Sequence, residues 1–487
     1  MLALAMDPAA QDADPDIDAL LHAAGGIGAY RWGSLVLETS QLAPVDGRRI
    51  VEALAGASAG VFQSASASAQ RGMIALMHEL VHCQQDLSTG LGAWDAFTTR
   101  HAYDRLVYQA RWFVHRYTAP PYSPQIVQQL AGMPPSGFSG QMQADIDLIE
   151  NRSVARPLLA GRHWWSEAES SGLLKELDIR LDGVDEISLR SMFEAEAACV
   201  VWTALNNARY DEDSVEWLDD HRSLWSIAEL DDVYTGPLQL VAMAIANGQV
   251  SVKAFIEQLP VLSILIPFMT DLACSYPPPT MIPNFPQPSM FNPVLRFVLM
   301  TRALNMMSQG AYQEFVMALW QGEWSTAETL LAKWIPLRYP SSTMTYSEWQ
   351  KVLAPLADGP DDDAPLFATR LAAIRARRDG VHAKGILAVS EAGCPVQVIV
   401  QGTGIRGIQQ NQQLLDDRIF GALIYNLRDL ELHGLLYKDR PFRCPFGTAG
   451  ICDSRTARCI SGIVGVSEFP QAGCRVRDAM TTDGWHL

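Results

Sequence analysis

The chain has 487 residues, 48% of them apolar and 19% charged, with a formal net charge of −17. That length supports two or three domains, and the negative charge argues against a nucleic-acid phosphate backbone as partner. The opening run Met1–Gly25 has neither a basic start nor a long apolar core, so no secretory leader is predicted and the cytoplasm is the expected location. Only six of the 37 cationic Lys and Arg residues are lysine, a bias of the kind GC-rich bacterial genomes produce.

Along the chain, Arg31–Glu38 has short β character, and Asp46–Phe62 reads as a helix followed by a small-residue turn. The Ser/Ala-rich Gln63–Gln70 leads into an apolar helix running to about Gln85. Helices follow at Tyr103–Arg116, Pro124–Leu130 and Gln141–Val154, the last on the spacing of Met142, Ile146 and Ile149. Ser188–Arg209 is a strong helix, and the acidic Asp211–Asp232 is a solvated surface with turns. Further helices are expected at Pro237–Ala246, Val252–Glu257, Val294–Met307, Thr326–Trp334 and Ala364–Arg378.

Leu259–Met269 is the most apolar stretch, but Pro260 and Pro267 interrupt it, and it is too short to span a bilayer; it reads as buried core. Pro277–Pro293 must be an extended loop, because proline lacks the amide proton and fixes φ; it runs over the surface or walls a cleft. Asp358–Pro365 marks a linker, Pro395–Gly402 is the clearest single strand, and Gln410–Leu430 is helical. No internal repeat is visible. The expected fold is mainly α with a minor β component (α+β), divided into a core at 1–357, an α/β extension at 358–440 and a Cys-rich tail at 441–487.

The stretch that carries chemistry is Met73-Ile74-Ala75-Leu76-Met77-His78-Glu79-Leu80-Val81-His82, an H-E-x-x-H motif in an apolar helical run. Residues i and i+4 share a helix face, so His78 and His82 can ligate one zinc ion. Glu79 sits beside them, where a general base for zinc-activated water is needed. A buried helix rarely carries two histidines and a carboxylate without something to satisfy them.

A catalytic zinc takes three protein ligands. Gln85 and Ser88 exclude the variant whose third ligand is a histidine six residues on. The remaining common solution is a glutamate from a later helix, and Glu194 and Glu196 are the candidates. Ala197 and Ala198 lie three and four residues after Glu194 and leave its face smooth, which favours it over Glu196; both can also be ordinary carboxylates paired with arginines such as Arg190. His101, Tyr103, Tyr108, His115, Tyr210 and His221 are candidates to stabilise an oxyanion.

His78-Glu79-x-x-His82 followed by a helical glutamate resembles the gluzincin-type zinc metallopeptidases. More narrowly, His78-Glu79-Leu80-Val81-His82-Cys83-Gln84-Gln85-Asp86 and Met192-Phe193-Glu194-Ala195-Glu196-Ala197 are similar to an uncharacterised bacterial branch with an H-E-x-x-H-x-x-Q-D segment and a later apolar-Glu-x-x-Ala element. The resemblance covers about a quarter of the chain. It implies a zincin-like core built on a buried H-E-x-x-H helix and a later Glu-bearing helix. It also implies zinc held by His78, His82 and Glu194, Glu79 as general base, and a peptide or protein substrate. Ala198 stands where the best-known members carry an aspartate that supports a histidine ligand, so Asp86, one turn beyond His82, is the candidate for that support. The other class is a non-catalytic interaction protein with a zincin-like fold and a structural or vestigial metal site. Oligomeric state is not legible.

Cys444, Cys452, Cys459 and Cys474 crowd the tail without a C-x-x-C pair. A second, structural metal and buried or disulfide-paired thiols both fit such a segment, whose Gly-rich sequence has little periodicity with which to build a core. The expected outcome is that the folded, metal-free protein shows these thiols protected in titration and that serine substitution lowers stability. Four freely reactive thiols, with stability unchanged on substitution, would show the cluster to be incidental.

Overall fold

The computed structural model describes residues 28–31, 36–39, 78–79, 81–98, 100, 187–208, 232–248, 250–284, 291–335, 339–360, 364–378, 397–400 and 404–407. These residues are mainly helical. In chain order they are β1 (Gly28–Arg31) and β2 (Val36–Thr39), then α1 (78–88) and α2 (90–98), then α3 (Leu189–Ala208), α4 (Asp232–Ala246) and α5 (Val252–Ala273). There follow α6 (Pro293–Met306), α7 (Gln309–Trp320), α8 (Trp324–Ala332), α9 (Ser342–Ala357), α10 (Ala364–Arg378), β3 (Gln397–Val400) and β4 (Gly404–Gly407). The strands pair in the order β1-β2-β3-β4, antiparallel at the two outer pairs and parallel between β2 and β3, with Val36 opposite Gln397. Among the described residues no helix is long and apolar enough to cross a membrane.

Helix starts follow from local chemistry. Ser188 and Ser191 cap α3 reciprocally, each hydroxyl accepting from the other's backbone N–H at 3.0 and 2.9 Å. Ser251, Asn292, Ser308 and Ser341 accept from the N–H three residues on and cap α5, α6, α7 and α9. Pro293 at the first position of α6 fits because that N–H has no partner inside the helix.

α5 is one helix of 22 residues, longer than its first six suggested, with Pro260 and Pro267 inside it. Each proline removes a ladder bond. The apolar burial of Leu262, Leu265, Ile266, Phe268 and Met269 offsets that loss. α7 and α9 carry no expectation in the sequence reading; α9 buries Ser342, Thr345, Tyr346, Trp349 and Leu353, a helical stripe opened by polar residues.

Among the described residues two clusters make the core. α3 packs on α4 and α5, and α6, α7 and α8 extend that layer around Phe268, Phe297 and Phe315. α2, α9 and α10 enclose the second, around Trp349, Phe367 and Ile374, and Trp94 touches both. The junction is the segment after α5. The Leu91 N–H donates to the Cys274 carbonyl at 2.9 Å, Trp349 Nε1 donates to the Tyr276 carbonyl at 2.6 Å, and the Arg296 guanidinium donates to the Ser275 carbonyl and hydroxyl at 3.1 and 2.8 Å. α10 follows the Asp-rich linker yet packs on α9 and sends two buried arginines back to α1, α3 and α5, so a boundary at 358 does not separate it from the helices before it.

α1 ends where Thr89 leaves helical geometry and accepts from the Gly92 and Ala93 N–H groups through its hydroxyl and carbonyl, opening α2. A Cβ at Gly92 would stand 1.8 Å from the Asp86 carbonyl oxygen, and one at Gly90 would stand 2.7 Å from the Tyr276 backbone. Only glycine permits this corner. Gly92→Ala should lower unfolding free energy by about 3 kcal/mol, by forcing backbone apart in a packed core. Urea denaturation measures it; a loss under about 0.5 kcal/mol would be the range of an unconstrained surface position.

Candidate metal centre

His78 and His82 lie one turn apart on α1, their rings edge to face with centroids 4.7 Å apart. α3 crosses α1 so that Glu194 Oε2 sits 2.8 Å from His78 Nε2 and 3.3 Å from His82 Nε2, while the two Nε2 atoms are 3.1 Å apart. Among the described residues these three form the group of metal-ligating side chains that converges, one ligand atom each, within 4.8 Å. Donors ~2.1 Å from a tetrahedral ion stand ~3.4 Å from each other, so this set fits zinc if its closest pair opens by about 0.6 Å. The three side chains keep 14–15% of their surface exposed, which leaves one side of the locus open to solvent.

Glu194 and Glu196 are two residues apart and therefore project about 200° apart around α3. The structure turns Glu194 to the histidines, with Arg190 Nε at 3.7 Å on its other oxygen. It turns Glu196 inward: its Oε2 accepts from Gln85 Nε2 at 2.9 Å and its Oε1 from Arg377 at 3.2 Å. Arg377 also donates to Asp271 at 2.6 Å and to the Ser88 hydroxyl at 3.1 Å, and the Tyr346 hydroxyl donates to the same Asp271 oxygen at 2.8 Å. Glu79 is half-buried on the turn that carries His78.

Asp86 does not take the place expected of it beside His82. It is fully buried and ion-paired with Arg370, whose second guanidinium nitrogen reaches the Asp86 carbonyl. The side chain that meets the far nitrogen of His82 is Gln85: its Oε1 lies 2.8 Å from Nδ1. The sequence reading quoted Gln85 within the motif segment without assigning it a role, and it missed Arg370 and Arg377 as members of this region. A signal existed for the arginines. Phe367, Arg370, Leu371, Ile374 and Arg377 fall at i, i+3, i+4, i+7 and i+10, so both guanidinium groups lie on the apolar face of α10. The oxyanion candidates His101, Tyr103, Tyr108, His115, Tyr210 and His221, and the cluster Cys444, Cys452, Cys459 and Cys474, lie outside the described residues.

The electrostatics follow the geometry. Burial disfavours a charge on His82, but the adjacent Glu194 carboxylate, together with the charge of Glu79 and the Gln85 bond, lifts its pKa to about 9. Burial likewise opposes ionisation of Glu194, yet His82 and His78 hold it well below the usual carboxylate range. Burial pushes Glu196 up, against the pull of Arg377. Burial also opposes the charge on Arg377, but Asp271 and Glu196 hold that guanidinium firmly protonated. The close approach of Glu194 thus favours the charged form of His82, and His82 and His78 favour the charged form of Glu194.

Compared with protein-family models, with characterised proteins and with solved structures, the chain matches none. The reading of this centre therefore rests on its own geometry.

His82's folded pKa of about 9 lies above its ordinary 6.5, so this pairing contributes stability in full below pH 6.5 and loses it as pH rises through 9. With metal chelated, urea unfolding should show a decline on the order of 2 kcal/mol across that window, absent in His82→Gln. A flat profile in the parent protein would remove the proposed charge pairing.

Proposed function

We propose that this protein is a zinc-dependent hydrolase, a metallopeptidase in which His78, His82 and Glu194 hold the zinc and Glu79 is the general base. The observation that carries this reading is the approach of Glu194 Oε2 to both histidine Nε2 atoms, 2.8 and 3.3 Å away, from a separate helix. The donor chemistry supports zinc: two imidazoles and one carboxylate are a ligand set of catalytic zinc sites. Zinc bound there supplies Lewis acidity, which polarises a carbonyl and acidifies water. Glu79, in the residue next to His78, takes a proton at its carboxylate and returns it to the leaving amine. Its place on α1, half-buried and adjacent in sequence to His78, supports its nearness to the ligands.

The same reading takes the mainly helical core as zincin-like, built on α1 and α3 with a minor β component, and takes the substrate to be a peptide or protein. Partial exposure of all three ligands favours this over a structural centre, because structural zinc sites are closed by a fourth protein ligand.

Stoichiometric zinc is expected in the purified parent protein, and loss of both metal and activity in His78→Ala. Glu79→Gln should retain zinc and lose 10²–10⁴-fold in peptide-library cleavage, because it keeps the shape of the base but cannot accept the proton. Unchanged turnover in Glu79→Gln would rule out the base. Zinc without cleavage, together with unfolding on chelation, would identify a structural centre instead.

A further inference from the structure

We infer that Gln85 is a positioning residue for the metal ligand His82, and that it fixes which ring nitrogen His82 presents to the metal. This rests on the zinc-site reading above. A glutamine amide has two N–H donors on nitrogen and an acceptor oxygen. The Gln85 nitrogen lies 3.0 Å from the Phe193 carbonyl and 2.9 Å from Glu196 Oε2, and both bonds are buried. A backbone carbonyl cannot donate, so the nitrogen end of the amide must face Phe193 whatever the protonation of Glu196. The oxygen end is then turned to His82 Nδ1, 2.8 Å away. An amide oxygen only accepts, so Nδ1 must carry the N–H. In the neutral ring Nε2 is left as a bare lone pair, and Nε2 is the atom that lies 3.1 Å from His78 Nε2 and 3.3 Å from Glu194 Oε2.

The orientation is imposed from far along the chain. Arg377 on α10 holds Glu196, and Arg377 is itself held by Asp271 on α5 and Ser88 on α1. α1, α3, α5 and α10 are therefore all anchored to the amide that aims one ligand. The role differs from that of the carboxylate partners common beside zinc-bound imidazoles. A neutral amide fixes the tautomer without adding a further negative charge to a site that already holds Glu194 and Glu79.

The test uses the full chain, zinc as probe and three measurements. In the zinc-loaded parent protein, proton–nitrogen NMR should show a slowly exchanging His82 ring N–H assigned to Nδ1. Ligation through Nδ1 would overturn the inference without any variant. Gln85→Met keeps the length and removes the acceptor; chelator competition should show zinc binding weakened 10–100-fold, with the N–H resonance lost to exchange. Gln85→Glu restores an acceptor to His82 while setting a carboxylate against Phe193 and Glu196. It should be destabilised at least as much as Gln85→Met yet bind zinc within a few-fold of the parent. Affinity that falls in step with stability in both variants would make Gln85 merely structural and sink the inference. Should Gln85→Met fail to fold, the parent spectrum and Gln85→Glu still decide. A parent protein that binds no zinc defeats the metal-site reading itself and the role of Gln85 with it. A zinc-binding parent with indifferent Gln85 variants defeats this inference alone.

Discussion

The arrangement depends on two guanidinium groups held in the protein interior. Arg370 and Arg377 are both buried, one paired with Asp86 and the other with Glu196 and Asp271, none of them more than marginally accessible. A desolvated charge is tolerable only beside its partner, and removing one member of such a pair typically costs 3–5 kcal/mol. Replacing a whole pair by apolar residues is often neutral, so these pairs are better understood as register pins than as a source of net stability. They fix how far α10 slides along α1 and which face α3 turns to it. Both matter for the candidate centre, whose three converging side chains come from α1 and α3.

That pinning is reinforced by close backbone approach. Gly90 and Gly92 bring the start of α2 against Tyr276 and Asp86, and Leu91 bonds to the carbonyl of Cys274. The end of α5 therefore holds the corner after α1 while Asp271, one turn earlier on α5, holds Arg377. A shift of α5 would move both, and the imidazole of His82 with them through Gln85. The geometry of the three converging side chains and core packing are one mechanical unit here.

The legible part of the sequence was the part with a fixed local spacing. His78, Glu79 and His82 need only five consecutive residues and a helix, and both were readable. The helix bearing Glu194 was readable as well. The choice between Glu194 and Glu196 turned on which side of α3 meets α1, a fact that lives in packing; the alanines that follow Glu194 were the local trace of it. Asp86 was misplaced because a carboxylate one turn past a histidine looks like its natural support, whereas an arginine 284 positions later claims it. The expected helix stopped at Glu257, ahead of Pro260, since proline propensity is local and the burial that overrides it is not. α9 was missed because its buried first turn is Ser342 and Thr345, polar residues that hide a helical stripe completed by Tyr346, Trp349 and Leu353. Glu328 satisfies Ser342 across the interface, which is what allows a polar residue there.

A polar stripe along α1 unites these points. His78, His82, Gln85 and Ser88 follow at spacings of four, three and three, all on the face toward α3 and α10. Its first half is partly open to solvent and its second half is buried, so one helix runs from chemistry to scaffold within three turns. At the open end, water can compete for every donor and acceptor. At the closed end each donor and acceptor is matched by protein: Gln85 by Phe193 and Glu196, Ser88 by Arg377 and the Gln84 carbonyl. Unmatched polar groups at that depth are costly, so the buried half can hold one arrangement only. The bond between Gln85 and His82 carries that rigidity into the exposed half.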